Sequence, residues 1–371
     1  MRILYFTRSD TPHDHRFLKA IKENGHEIFA LRLEQSPESP NTPEGVVELA
    51  WKGSKSKFRL RDIPFLIPRL KKIVNQIRPD LVHAGPIQGP AFLAAMAGVK
   101  PLVSMSWGYD MLKEADKNGL TRCITQYTLR HSDRLIVDCQ AVLEKAVEFG
   151  YDNHKIATFP WGVDLNHFSH KNGEQAAKTY RIKLEWEENF MILGTRALEP
   201  IYGMDILAKA FVLAYEKDPS LRLLLLGEGS QRPAIERILT EGGVIKHVVF
   251  GGKVSYNDLP GVYSSADLYT SPSYVDGSSV SLLEALACGL PCIVSDIPGN
   301  KEWITDDETG WLFHAGDPVS LADKILKAKS SQKLSVLKGK ARKLAESKAD
   351  WTKNFQVLNK IYEKLVKMRE L

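Results

Sequence analysis

Short apolar runs alternate with stretches of helical spacing along almost the whole of this chain. Residues Arg2–Thr7 (RILYFT), 27–33 (EIFALRL), 79–84 (PDLVHA), 101–107 (PLVSMSW), 133–139 (DRLIVDC) and 155–161 (KIATFPW) are brief and rich in β-branched side chains. Between them, HRFLKAIKENG and AVLEKAVEFG place apolar residues three and four apart, as an amphipathic helix requires. That rhythm is βαβ, and it predicts a parallel sheet wrapped by helices. Near residue 169 it breaks into the polar SHKNGEQAAKTYRIKLEWEEN, read as a linker with one lead-in helix. It then restarts with FMILGTR, LRLLLLGE, HVVFGG, DLYTSP, PCIVSD and GWLFHA, again separated by helical patterns. The pattern therefore predicts two sequential doubly wound domains, over 1–168 and 187–349. A final helix over 350–371 carries Trp351, Phe355, Leu358, Ile361, Tyr362 and Leu365 as an apolar stripe, expected to return to the N-terminal domain.

Composition narrows the class. At 371 residues the chain is long for one core, and its 43% hydrophobic and 26% charged content is that of a soluble globular protein. No run reaches the roughly 18 apolar residues that cross a bilayer, and the start shows no cleavable leader, so a cytoplasmic location is expected. Cys123, Cys139, Cys288 and Cys292 have no metal-ligand spacing and are read as reduced thiols. A net charge of +5 does not call for nucleic acid but leaves room for a local anionic partner.

In doubly wound sheets ligands bind beyond the carboxyl ends of the strands, so the loops there are searched first. The segment 273–291, SYVDGSSVSLLEALACGLP, holds Asp276 and Glu284 eight residues apart across a Gly-Ser-Ser turn, followed by an apolar helix ending at Gly289. Amides at that helix start, beside Gly277, Ser278 and Ser279, make a phosphate or diphosphate site. The competing reading is a capping box from Ser281 to Glu284, with Asp276 as a plain turn residue. As a hydrolytic pair the two acids fit poorly, because eight helical residues rise about 12 Å, beyond the roughly 5–9.5 Å used in glycoside hydrolysis. They suit two ends of one extended ligand: hydroxyls at both ends with a diphosphate between, which describes a nucleotide sugar. Arg196, at a strand's carboxyl end, can pair bidentately with phosphate, or form a surface salt bridge.

The stretch DGSSVSLLEALACGLPCIVSDIPGNKEWI resembles the signature of the family 4 (group 1) retaining glycosyltransferases, in which acid-x7-acid precedes A-x-A-C-G-x-P. PDLVHAGP, FPWGVDLNHF, LGTRALEPIYGMDILAKAF, LLLLGEGSQR and TGWLFHAGDP resemble the family's other blocks, in order. The resemblance implies the GT-B fold: two Rossmann-like doubly wound parallel-sheet domains with a cleft between them, the first acceptor-binding and the second donor-binding. It implies that Glu284 holds the ribose hydroxyls, Asp276 the transferred sugar, and the amides of Gly277, Ser278, Ser279, Val280 and Ser281 the sugar and diphosphate. Gly194, Arg196, Gly227, Lys253 and Val254 complete the implied donor set, with Asp276, Arg196 and Glu284 as its catalytic members.

Three positions depart from the family's pattern. Asp276 stands where Glu is usual, Tyr202 where a second phosphate-binding Lys is usual, and Trp107 where a His is usual. His83, Trp107 and Asp110, at strand ends of the first domain, are the acceptor-side candidates, although a lone His there is equally a structural hydrogen bonder. The expected activity is retaining transfer from a UDP- or GDP-sugar to a glycan or lipid-linked envelope acceptor. No D-x-D motif occurs, so no metal and no cofactor are expected. The alternatives are a GT-B nucleotide-sugar epimerase and a non-catalytic nucleotide-sugar-binding subunit. Segment 52–72 sets Lys52, Lys55, Lys57, Arg59, Arg61, Arg69, Lys71 and Lys72 against a single Asp62, interleaved with Phe58, Leu60, Ile63, Phe65, Leu66 and Ile67. It reads either as a solvated helix face or as a peripheral contact with an anionic membrane.

Overall fold

A computed structural model describes residues 1–34, 42–51 and 58–370, which form two compact units: Met1–Phe159 with Lys353–Leu371, and Pro160–Thr352. Each is built on one parallel sheet. In the first, β1 (Arg2–Thr7), β2 (Glu27–Arg32), β3 (Val47–Glu48), β4 (Leu81–Ala84), β5 (Leu102–Met105), β6 (Arg134–Val137) and β7 (Ile156–Thr158) lie in the order β3-β2-β1-β4-β5-β6-β7. In the second, β8 (Phe190–Gly194), β9 (Leu221–Leu226), β10 (Val248–Gly252), β11 (Leu268–Ser271), β12 (Cys292–Ser295) and β13 (Trp311–Phe313) lie in the order β10-β9-β8-β11-β12-β13. The strand order reverses between β1 and β4 in one sheet and between β8 and β11 in the other. Those are the switch points at which doubly wound sheets open a ligand crevice.

The helices of the first unit are α1 (Pro12–Glu23), α2 (Ile63–Ile77), α3 (Phe92–Met96), α4 (Gly119–His131) and α5 (Gln140–Glu148). Those of the second are α6 (His170–Leu184), α7 (Met204–Lys217), α8 (Arg232–Glu241), α9 (Leu259–Ser265), α10 (Val280–Ala287), α11 (Pro298–Lys301), α12 (Pro318–Ser330) and α13 (Leu334–Lys348); α14 (Trp351–Glu370) closes the chain. Strand alternation sorts the second unit's core into two layers. Met191, Leu193, Leu224, Leu226, Tyr269, Cys292 and Val294 face α9, α10 and α13. Their neighbours Ile192, Leu223, Leu225, Leu268 and Ile293 face α7, α8 and α12. Both faces being covered explains why these strands are apolar at successive positions.

The segment read from sequence as a linker with a lead-in helix belongs to the second unit, which begins at Pro160. Two glycines let α6 lie close against α9. A side chain at Gly173 would meet Ser264 Oγ at 2.1 Å and Pro260 O at 2.3 Å, and one at Gly261 would meet Ala176 Cβ at 2.7 Å. Arg181 fastens the pair, donating from Nε to Ser265 O at 2.7 Å and pairing through Nη2 with Asp267 at 2.5 Å.

In the first unit, Leu4, Phe6, Leu31, Val82 and Leu102 pack on α2 and α3 through Leu66, Leu70 and Leu93. On the other face Tyr5 and His83 lie tilted against each other at 5.1 Å between centroids and meet Phe17 of α1 and Tyr362 of α14. His83 is fully buried, hydrogen-bonded through Nδ1 to the Tyr362 hydroxyl, with Nε2 3.2 Å from Met105 Sδ. It belongs to the docking surface of α14. Burial penalises the imidazolium and pushes the His83 pKa down from 6.5 to about 3. The unfolded chain therefore takes up a proton below pH 6.5 that the folded chain refuses, and stability is lost as pH falls from there toward 3. Denaturant titrations of the parent and of His83→Gln should diverge below pH 6, the parent losing roughly 1.4 kcal/mol more per pH unit. Parallel curves would contradict the assignment.

Candidate functional site

The loops leaving β8 and β11 bring the second unit's polar residues together. Gly194 ends β8, and Thr195 and Arg196 follow it over the sheet. A side chain at Gly194 would press on Met204 Cε at 2.9 Å and Leu207 Cδ2 at 3.0 Å, so this glycine serves the packing of α7. Arg196 turns across to the β11 loop. Its Nη2 pairs with Asp276 Oδ2 at 2.7 Å, and Nη1 donates to Ser279 Oγ at 2.7 Å and Ser281 Oγ at 3.2 Å. Its guanidinium carbon lies 4.2 Å from the centroid of the Tyr202 ring. Arg196 Nε is buried without a hydrogen-bond partner among the described residues.

Asp276 is set by its surroundings from below as well. Its Oδ1 accepts from Gly277 N at 3.1 Å. The loop rests on Gly299, where a side chain would approach Asp276 O and Gly277 O to 2.6 Å. Trp303 Nε1 donates to Ser278 Oγ at 3.3 Å, which turns that hydroxyl inward. Burial raises the Asp276 carboxyl above its usual range, opposed by the Arg196 guanidinium and by hydrogen bonds from Ser279 and Gly277.

Helix α10 begins at Val280 with Ser279 at its N-cap, and no side chain caps it. Ser281 is thus already helical, and the Ser281-to-Glu284 capping box does not form. The first-turn amides have no intrahelical partners and lie at the positive end of the helix. Val280 packs on the core layer beneath. Ser281 Oγ is further shared with Ser279 Oγ at 3.1 Å and Tyr269 OH at 2.9 Å.

Glu284, half-buried one turn further along α10, accepts from Tyr263 OH at 2.8 Å, and that hydroxyl lies 3.2 Å from Thr195 Oγ1. Burial and then the nearby Glu284 charge raise the Tyr263 pKa, so the phenol stays a donor to the carboxylate. Sequence reasoning missed Thr195, Tyr263 and Tyr269. The only signal was position: Thr195 lies between two singled-out residues, and the tyrosines interrupt apolar runs.

The remaining donor candidates sit at neighbouring strand ends. Gly227 follows β9 at φ 95°, where a side chain would meet Arg196 O at 2.9 Å. Lys253 and Val254 follow β10. Lys253 is exposed and pairs with Glu228 at 3.4 Å, while Val254 packs partly on the core. Both line a cavity of about 510 Å³ with Tyr180, Gly251 and Asp258. A second cavity, about 750 Å³, lies at the amino ends of β11 and β12, away from Arg196, and is lined by His170, Lys171, Cys288, Lys338 and Arg342.

On the first unit, Asp110 is buried and satisfied: it accepts from Ser106 Oγ at 2.7 Å, Trp107 N at 2.9 Å and Ile87 N at 2.9 Å. It ties the β5 loop to the β4 loop, and like His83 it is buried with its polar atoms engaged. Burial raises its carboxyl pKa against those hydrogen bonds. Trp107, half-buried, packs on Phe17 and His13 with centroids 5.9 and 5.7 Å away and remains at the loop surface. Among the described residues no cluster of His, Cys, Asp and Glu could hold a metal ion.

A fixed guanidinium, a helix start with unpaired amides and two carboxylates at one switch point can take a phosphorylated ligand bearing hydroxyls. Similar proteins share that arrangement's framework. Residues 177–349 match the family described as "Glycosyl transferases group 1", and residues 2–139 match "Glycosyl transferase 4-like". The phosphatidyl-myo-inositol mannosyltransferase of Mycobacterium leprae is 30% identical over 366 residues, 95% of this chain and 91% of that one. The D-inositol 3-phosphate glycosyltransferase of Nocardia farcinica is 29% identical over 203 residues, 53% of this chain and 44% of that one. The chain thus spans about half the length of several curated relatives it matches. Among solved structures, Anabaena HepE in complex with UDP superposes with a TM-score of 0.80 at 18% identity, covering 99% of this chain and 100% of that one. Sucrose-phosphate synthase from Thermosynechococcus elongatus does so at 0.81 and 17%, covering 99% and 100%. Two all-parallel Rossmann-like sheets, neighbours of GT-B fold and a match along nearly the full chain lead to one conclusion: this chain belongs to the group 1 glycosyltransferases of family 4.

Proposed function

We propose that the chain is a metal-independent, retaining glycosyltransferase that moves a hexosyl group from a UDP- or GDP-sugar to a hydroxyl of a glycan or glycolipid. The observation that carries this is the gathering of Arg196, Ser279, Ser281 and the uncapped start of α10 at the β8/β11 switch point. Glu284, oriented by Tyr263, accepts two ribose hydroxyls. The first-turn amides and Arg196 hold the diphosphate, and Asp276 accepts hydroxyls of the sugar. The acceptor hydroxyl attacks the anomeric carbon on the face that the diphosphate leaves; the new C–O bond forms as the old one breaks, and the acceptor proton passes to the departing phosphate oxygen. No enzyme nucleophile takes part. Arg196 and the fixed amide dipoles supply the charge stabilisation. The names of two relatives, a D-inositol 3-phosphate glycosyltransferase and a phosphatidyl-myo-inositol mannosyltransferase, favour a phosphorylated or lipid-linked acceptor.

The carboxylate assignments are tested by calorimetry. Each charge-assisted bond is worth roughly 1.5–3 kcal/mol, so Glu284→Ala should weaken UDP or GDP at least about tenfold with the fold intact. Asp276→Asn should weaken the nucleotide sugar while free nucleotide binds as well or better, because the carboxylate beside Arg196 is gone. Parental binding of UDP and GDP by Glu284→Ala, or of the nucleotide sugar by Asp276→Asn, would contradict the assignment.

Turnover tests the chemistry. Activity should survive EDTA and fall sharply in Arg196→Ala. Release of free nucleoside diphosphate that depends on an acceptor separates a transferase from an epimerase or a silent binding subunit. Activity abolished by EDTA and restored by Mg²⁺ or Mn²⁺ would overturn the metal-free reading.

The first unit supports a peripheral membrane contact. In the described part of 52–72, Arg59, Arg61, Arg69, Lys71 and Lys72 are exposed beside Leu60 and Phe65, whose exposure reaches 67%, while Leu66 and Leu70 are buried. Lys52, Lys55 and Lys57 lie outside the described residues. No described helix is long and apolar enough to cross a membrane. Flotation should bring the protein up with anionic liposomes at low salt and not at high salt. Absence from the anionic fraction at low salt would contradict the contact.

A further inference from the structure

The residue at which the chain departs from its family beside the diphosphate site has a defined geometry. Tyr202 ends the short turn Pro200–Tyr202 between β8 and α7, and the Arg196 guanidinium lies over its ring, 4.2 Å from centroid to carbon. The turn is fixed on every side. Tyr202 N donates to Glu199 O at 2.9 Å, and Tyr274 N donates to Ile201 O at 3.0 Å. The Glu199 carboxylate accepts from Ser230 N at 2.8 Å and Ser230 Oγ at 2.6 Å. Gly203 follows at φ 60°, where a side chain would drive into Pro272 O at 2.3 Å. The ring is half-buried and packs partly on the core layer below α7. It is therefore a rigid platform.

Stacking engages the flat face of a guanidinium and leaves its N–H edge free to donate. Ser279 and Ser281 accept from Nη1, Asp276 forms an ion pair with Nη2, and Nε has no hydrogen-bond partner among the described residues. With Tyr202 packed against the guanidinium, Arg196 can still exchange partners through its N–H groups. A second lysine would add charge here but would also repel Arg196; a tyrosine adds no charge and fixes the plane.

We propose that Tyr202 is a positioning residue for the diphosphate, holding the Arg196 guanidinium so that its donor edge meets the phosphate oxygens. This rests on the reading that Arg196 grips the diphosphate. The consequence is a site that recognises diphosphate with one pre-oriented cation where the family pattern has two.

The test compares UDP and GDP, each with its nucleoside, on the parent and on Tyr202→Phe, Tyr202→Leu and Arg196→Ala, by calorimetry for the nucleotides and ligand-detected NMR for the nucleosides. Tyr202→Phe, which keeps the ring, should bind within about twofold of the parent. Tyr202→Leu should weaken the bound diphosphate at least about fivefold and lower kcat, leaving the nucleoside unchanged. If Tyr202→Leu binds like the parent while Arg196→Ala does not, the positioning role is wrong and the diphosphate reading stands. If Arg196→Ala also binds like the parent, the diphosphate reading itself fails. A Phe variant as weak as Leu, or an equal loss of nucleoside, would likewise overturn the positioning role, since either outcome means that the stacked ring is not the operative group.

Discussion

The site depends on one buried cation. A guanidinium removed from water must find donors' partners and a counter-charge around it, or the desolvation is uncompensated. Arg196 meets that requirement with Asp276, Ser279 and Ser281 on its edge and Tyr202 on its face. Those four residues come from the turn after β8 and from the β11 loop with the first turn of α10, the segments that diverge at the β8/β11 reversal. The same interactions therefore tie these segments together across the switch point. Under the proposed function, the acid assigned to the sugar and the arginine assigned to the diphosphate begin as an ion pair, so that donor binding would be an exchange of partners and not the filling of an empty charge.

The rest of the second unit serves to hold those loops. Gly299 and Trp303 support the Asp276 loop from beneath, and Gly203 lets the Tyr202 turn pass against Pro272. Gly227 lets the β9 loop lie on the backbone of Arg196. Each glycine here is a place where backbone approaches backbone too closely for a side chain. They put a flexible, long-chained arginine into a fixed frame, and pre-oriented dipoles are what stabilise developing charge without reorganisation.

Much of this was legible in the sequence because buried parallel strands are apolar at successive positions. Of the thirteen strands among the described residues, twelve follow such runs, and the exception, β3, is a two-residue exposed edge with no pattern to read. The Asp276 to Glu284 segment was legible from its small residues and the apolar helix after it. The limits were equally physical. His83 and Asp110 are polar residues at strand ends, the usual place for chemistry, yet their partners are Tyr362, far along the chain, and the loop amides of Ile87 and Trp107. Long-range satisfaction of a polar group leaves no local signature. The placement of α6 was hidden for the same reason, since Gly173 and Gly261 acquire meaning only when set opposite each other.

The central claim is that the anionic part of the ligand sits on the first turn of α10, beside Arg196. Hydrogen exchange of the backbone amides from 277 to 282, with and without saturating UDP or GDP, tests it most directly. The account predicts that these amides slow markedly with the nucleoside diphosphate and much less with the nucleoside alone. Unchanged exchange there under saturating nucleotide, with protection appearing elsewhere in the chain, would contradict it.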